Sequence, residues 1–266
     1  MKKKAKERER ETTTSLSEKL SNDLSAKLEE LNECYRDINY RLNSNKTKAF
    51  DDLTNNDIYK IHANIFMMCA NSILVQQGKK FVVDDTNRNI IRFLLYYFNN
   101  CGLAMKIFPN SDYSLNKNIL LVGDVGVGKT LIMDAFSLYL KETKNPRFFY
   151  SVSQTQLLNS YKLHNNIDKF IYNEEKSKNF EGEPMNLCLN DIGLQTTKYY
   201  GQDSQSVINE LLYARYEIWA TRGKFLHLTT NLDKNDIHQL FSDEFGRLND
   251  RFKMYNVIPI IGNSKR

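Results

Sequence analysis

The sequence contains no apolar run of the roughly 20 residues needed to cross a bilayer. The longest, such as IIRFLLYYF from Ile90, fall far short of it. No apolar stretch follows the basic start, so the pattern of a secretory leader is missing as well. Both absences lead to the expectation of a soluble, cytoplasmic protein. Cysteine is sparse: Cys34, Cys69, Cys101 and Cys188 are widely spaced, with no CxxC and no neighbouring His. That argues against a zinc site or a disulfide scaffold and for buried free thiols. Only four prolines occur, in keeping with a helix-rich fold. Net charge is also scarcer than it looks. The formal charge is +5, but MKKKAKERER holds six Lys or Arg against two Glu, which leaves the remaining residues at +1. A uniformly basic surface is thereby excluded.

What is present is a chain of 266 residues, 41% hydrophobic and 26% charged, long enough to bury a substantial core. Residues 1–14 read as a basic, solvated tail. From 15 to 117 the pattern is helical. Leu16, Leu20, Leu24, Leu28, Leu31, Tyr35, Ile38 and Leu42 recur at steps of three or four and form one apolar stripe. Asn55, Asn56 and Asp57 offer caps for a second helix with Ile58, Ile61, Ile65, Phe66 and Cys69 on its face. Phe81 to Val83 reads as extended and Thr86 as the cap of a third helix, whose buried face is Ile90, Ile91, Leu94, Leu95 and Phe98.

After the loop CGLAMKIFPNSDYSLNK the pattern changes. NILLVG, RFFYSV, MNLCLND, KFLHLTTN and NVIPIIG are short apolar or β-branched runs separated by helical segments. Five such runs predict an α/β fold, a parallel sheet covered on both faces. The run Phe148, Phe149, Tyr150 is expected in the strand core.

The first run leads into GDVGVGKT. Gly123, Gly128, Lys129 and Thr130 stand in GxxxxGK[ST] spacing, with Asp124, Val125, Gly126 and Val127 between the glycines. Such a loop turns successive backbone N–H groups onto phosphate oxygens at the positive end of a helix. The Lys reaches the terminal phosphates and the Thr hydroxyl can ligate Mg²⁺. The flanking strand and helix are the context this motif requires.

Nucleoside-triphosphate hydrolysis also needs an acidic group at a neighbouring strand end, to hold Mg²⁺ and orient water. Asp191 ends MNLCLND, and Asn190 stands before it. An amide at 190 can orient water and metal but brings no charge. Asn231, at the end of HLTTN after Thr229 and Thr230, fits a group that bonds the γ-phosphate or the attacking water. Arg247 and Arg251 lie four apart in FGRLNDRF, on one helical face.

Taken in this order, the motifs resemble the helicase-loader branch of the AAA+ ATPases, the DnaC and DnaI type, with IstB-type transposition ATPases as relatives. LNDIGLQ resembles the Walker B strand of that branch, TTNL its sensor 1, and GRLNDRFKMYN the box that carries its arginine finger. NSKR resembles the terminal Ser-x-Arg motif, with Arg266 as the sensor 2 arginine, and VINELLYARYEIWATRGK the helix before sensor 1. The family usually has an acidic pair where this chain has Asn190 and Asp191, a departure that implies slow hydrolysis.

The resemblance implies a P-loop ASCE sheet over residues 118–266 without a helical lid, ATP and Mg²⁺ as ligands, and self-assembly into an open ring or filament. It further implies contact with single-stranded DNA and a partner-binding region at 15–117 that holds a DnaB-type replicative helicase. Arg251, with Arg247 as second choice, would then reach the neighbouring subunit's ATP. For DNA, Lys198, Tyr199 and Tyr200 supply cations and aromatic faces, as do Tyr161, Lys162 and Lys169. Two other functions stay open. One is a transposition ATPase that binds DNA and recruits a transposase; the other is a nucleotide-gated adaptor with little hydrolysis, suggested by Asn190.

Overall fold

The computed structural model describes residues 50–172, 183–193, 198–199, 202–233, 235–237 and 250–265, with the side chains of 198, 199, 202 and 203 excepted. The basic tail and the Leu-rich stripe of residues 16–42 lie outside these residues, as do Arg247 and Arg266. The chain divides into two units, 1–49 and 50–266, and the described residues all belong to the second.

Helix α1, Asn56–Leu74, starts at Asn55, whose side chain accepts the N–H groups of Asp57 and Ile58. Its buried residues are His62, Phe66, Cys69, Ala70 and Leu74, and Ile61 is 57% exposed, so the face is rotated from the expected one. The reason is polar. Tyr139 sets its hydroxyl 2.5 Å from His62 Nδ1 and accepts from Asn99 Nδ2 at 2.8 Å, while His62 Nε2 lies 3.1 Å from Asp51. A histidine satisfied at both nitrogens can be buried in place of an isoleucine. With the turn after it, α1 is long and apolar enough to cross a membrane by length and composition. Its inner face, however, packs on the helix that follows the phosphate loop, within the main core.

Helix α2, Arg88–Phe98, starts after Asn87, whose side chain bonds back to Asp84 N and Val82 O and not to the helix, and Thr86 is no cap either, since its N–H and hydroxyl both bond Asp84. Eight of its residues from Ile90 to Phe98 are buried, as in a helix surrounded by protein.

The sheet is formed by β1 (Asn118–Val122), β2 (Phe149–Ser153), β3 (Asn186–Ile192), β6 (Leu226–Thr230) and β7 (Tyr255–Pro259). A two-residue pair, β4 (Lys198–Tyr199) with β5 (Gln202–Asp203), lies apart from it and has no counterpart in the expectations above. The five strands are parallel in the order β2-β3-β6-β1-β7. This is the P-loop ASCE arrangement, with β6 inserted between the phosphate-loop strand and the strand bearing Asp191. The connecting helices are α3 (Lys129–Glu142), α4 (Gln154–His164), α5 (Asp168–Ile171) and α6 (Ser204–Arg222).

Alternation along β1 shows why both faces are covered. Ile119 and Leu121 enter a core with α1, α2 and α3, and Leu120 enters a second core with α4 and α6. On the edge strand β2, Phe149 is fully buried but Tyr150 is 46% exposed, against the expectation for that run.

The expected boundary between residues 117 and 118 does not appear. Leu53, Phe66, Phe93 and Phe98 share one core with Ile119, Leu121 and Phe136, so the helices before the sheet belong to the same body. The loop before β1 is tied down: Tyr113 donates to Val257 O at 2.6 Å, and Asn256 exchanges hydrogen bonds of 2.8 Å with both backbone groups of Ser114.

Arg215, within α6, is 1% exposed and donates from Nη2 to Met185 O and Phe225 O, both at 2.8 Å. Burial lowers its pKa to about 10. It joins the segments that lead into β3 and β6 at the amino edge of the sheet. Among the cysteines, Cys69, Cys101 and Cys188 are buried free thiols, and Cys34 lies outside the described residues.

Candidate nucleotide site

The carboxyl ends of β1, β3 and β6 open onto a cleft of about 730 Å³, lined by residues 125–132, Asp191, Asn231, Lys265 and the segment from Lys79 to Asn87. The phosphate loop forms its floor. Gly128 has φ 98° and caps α3, and Gly126 has φ 88°, conformations that residues with a Cβ seldom adopt. At Gly126 a Cβ would also lie 2.2 Å from Ser264 Oγ.

Lys129 is 5% exposed and donates from Nζ to Gly123 O at 2.6 Å and Asp124 O at 2.8 Å. Its ammonium is thus held inside the loop by carbonyls. Thr130 donates to Asp191 Oδ1 at 3.1 Å, which brings two of the three residues expected around Mg²⁺ together at the start of α3; the third, Asn190, is not with them. Asp191 reaches that position through a bulge: the register of β3 on β6 shifts between Leu189 and Ile192, and Asp191 has φ 58°. Asn231 is exposed on the rim of the same cleft.

An oxygen-only donor set of one hydroxyl and one carboxylate, beside a phosphate loop, suits Mg²⁺, which takes few protein ligands and completes its shell with water and phosphate. Among the described residues there is no group of three His, Cys, Asp or Glu that could hold a metal unaided.

Asn190 is 2% exposed and does not reach the cleft surface. Its Nδ2 donates to Ser151 Oγ at 2.7 Å and its Oδ1 accepts from Thr229 Oγ1 at 3.1 Å. Ser151 in turn donates to Asp134 on α3. Burial pushes the Asp134 carboxyl up; the Ser151 bond opposes this and the nearby Asp191 charge adds to it.

A strap over the phosphate loop was not foreseen. Lys265 N donates to Gly126 O at 2.9 Å, and Lys265 Nζ lies 2.7 Å from Asp84 and 3.1 Å from Thr86 Oγ1. Residues 260–265 therefore link the loop before α2 to the phosphate loop. The Lys265 ammonium, aided by the Thr86 hydroxyl, holds the Asp84 carboxyl at about 2. No local pattern marks this pairing, since the partners lie 181 residues apart.

Arg251 is not in the cleft. It lies with Asn118, Leu226 and Tyr255 at the amino edge of the sheet, its guanidinium 4.3 Å from the ring centres of both Tyr213 and Tyr216. Of the residues considered for DNA, Tyr161 is 6% exposed and part of the second core, which removes it as a stacking face. Lys162 and Lys169 are exposed, and Tyr200 lies outside the described residues.

The sequence matches no protein-family model and no curated protein. The structure is similar to solved ones. A crystal structure of DnaI is 18% identical, with a TM-score of 0.47, over 71% of this chain and 89% of that one. AMPPCP-bound DnaA from Aquifex aeolicus is 22% identical with a TM-score of 0.44, over 70% of this chain and half of that one. A putative primosome component from Streptococcus pyogenes serotype M3 is 16% identical with a TM-score of 0.44, over 70% and 85% of the two chains. The likeness to each is distant, one of backbone arrangement.

Proposed function

We propose that this chain is an ATPase of the AAA+ type that acts in the cytoplasm in DNA replication, as a loader that binds ATP and single-stranded DNA and delivers a DnaB-type replicative helicase. The observation that carries the nucleotide reading is the meeting of Lys129, Thr130 and Asp191 in one cleft around a left-handed glycine loop. The loader reading rests on the order of motifs from Gly123 to Arg266.

In this reading Lys129 exchanges the carbonyls of Gly123 and Asp124 for the terminal phosphates, while the loop N–H groups and the amino end of α3 hold the phosphate chain. Thr130 and Asp191 would hold Mg²⁺, whose charge offsets that building on the phosphates. Asn231 orients the attacking water. Arg251, with Arg247 as second choice, serves the nucleotide of the neighbouring subunit in an open ring or filament, and Arg266 acts as sensor 2. The region 15–117 carries the helicase contact. Of that region, residues 50–117 contribute to the ATPase body, which leaves the Leu-rich stripe as the segment to test first.

The buried amide at Asn190 favours a second reading, a nucleotide-gated adaptor that hydrolyses ATP slowly. Steady-state ATP turnover across protein concentration, with and without single-stranded DNA, separates them. The ATPase reading expects turnover that Lys129→Ala abolishes and Arg251→Ala lowers by about 10³-fold or more, the usual scale for an arginine finger. Mixing the two variants then restores part of it, because some interfaces pair an intact loop with an intact finger. ATP binding without turnover at any concentration supports the adaptor instead. Full activity in Arg251→Ala removes that residue from the finger role.

A further inference from the structure

The acidic side chain missing from position 190 has a counterpart on the neighbouring helix, Asp134. Asp134 lies four residues after Thr130 on α3, hence on the same face one turn further on. From Asp191 a directed chain of hydrogen bonds runs to it. The Asp191 N–H donates to Thr229 Oγ1 at 2.9 Å, and Thr229 donates to Asn190 Oδ1 at 3.1 Å. Asn190 Nδ2 donates to Ser151 Oγ at 2.7 Å, and Ser151 donates to Asp134 Oδ1. Every donor points the same way, across β6, β3 and β2, and the chain ends on a carboxylate. Its first member is the bulged, left-handed residue whose carboxylate receives the Thr130 hydroxyl.

Accepting the ATPase reading of the cleft, we propose that Asp134 is a positioning residue: through Ser151, Asn190 and Thr229 it fixes the bulge that aims Asp191 at Thr130. Position 190 is an amide because the hydrogen-bond chain passes through it, and among short side chains of this shape only Asn both accepts and donates without taking up a proton. A carboxylate there would need the one Ser151 proton that Asp134 already takes, and two buried acceptors would compete for a single donor. Restoring an acidic pair by Asn190→Asp therefore harms this site. Moving the charge does not. When Asp134→Asn is combined with Asn190→Asp, the new amide on α3 donates to Ser151, Ser151 donates to the new carboxylate on β3, and every group is again satisfied.

The test uses the full chain in four forms, wild type, Asp134→Asn, Asn190→Asp and the double variant. Each is measured for its unfolding midpoint without nucleotide, for ATP affinity and for kcat. Each single change is expected to lower the midpoint and to cut kcat by about 10- to 100-fold, the range for groups that orient a metal ligand. ATP affinity stays near wild type, because Lys129 and the loop are untouched. The double variant regains most of both losses. A single variant that fails to fold while the double variant folds supports the relay equally.

A rise in turnover on Asn190→Asp alone overturns the proposal, as does a double variant no better than the sum of the singles or one that does not fold. If the wild type binds no ATP, the reading of the cleft fails, and the four midpoints still decide whether 134 and 190 share one charge.

Discussion

At the scale of single residues, the chemistry depends on side chains whose surroundings are set by distant parts of the chain. Lys129 was legible as a phosphate ligand from spacing alone, and the structure places it on the loop's own carbonyls. Asn190 was legible as a departure, but its environment was not, because Ser151 and Thr229 come to it from the strands on either side. Asp134 could have been found: its four-residue spacing from Thr130 puts it on a known face of a known helix. Arg215 gives a prediction at this scale. Arg215→Ala takes the guanidinium donor from the Met185 and Phe225 carbonyls, the second of which keeps the Leu187 N–H, and opens a cavity, so it should lower stability by about 3 kcal/mol in urea unfolding. A loss below about 0.5 kcal/mol, the size of an ordinary surface change, would contradict the structural role given to it.

At the scale of elements, strands and helices of the sheet were largely readable, since strands covered on both faces are short continuous apolar runs. Helix faces were less so. The α1 stripe is wider than one face, and the choice between Ile61 and His62 was made by Tyr139 and Asp51, which no local pattern reveals. The strap was unreadable for the same reason.

Two predictions belong to the strap. Gly126→Ala forces a Cβ into Ser264 and a left-handed conformation on alanine, so it should cost about 1–3 kcal/mol and weaken ATP binding. Wild-type behaviour in both a thermal melt and a titration with labelled ATP would rule out close packing of residues 260–265 on the loop. The Asp84–Lys265 pair gives a pH signature. A carboxyl held near 2 in the folded state stabilises the fold above the ordinary Asp value of about 4, and this stabilisation is lost as pH falls from there. The pair is partly exposed, so the contribution is at most about 1 kcal/mol. Urea midpoints from pH 6 down to 3.5 should fall more steeply in the wild type than in Asp84→Asn; parallel curves would show that the pair adds nothing.

At the scale of the whole molecule, the boundary read from composition at 117/118 gives way to a body that starts at Phe50. The boundary falls there in the sequence because the pattern changes from helical to alternating strand and helix after the loop 101–117, yet α1 and α2 supply Phe66, Phe93 and Phe98 to the core beneath the sheet. A fragment of residues 50–266 should unfold cooperatively, and one of residues 118–266 should not, since it exposes that aromatic face. Cooperative unfolding of the shorter fragment would restore the earlier boundary.

The central claim is that the cleft binds a nucleoside triphosphate through its phosphate loop. The most direct measurement is calorimetric titration of the full chain with ATP in the presence of Mg²⁺, for the wild type and for Lys129→Ala. Saturable binding near one nucleotide per chain, lost in Lys129→Ala, is the expected result. No heat of binding in the wild type, or equal affinity in the two proteins, would contradict it.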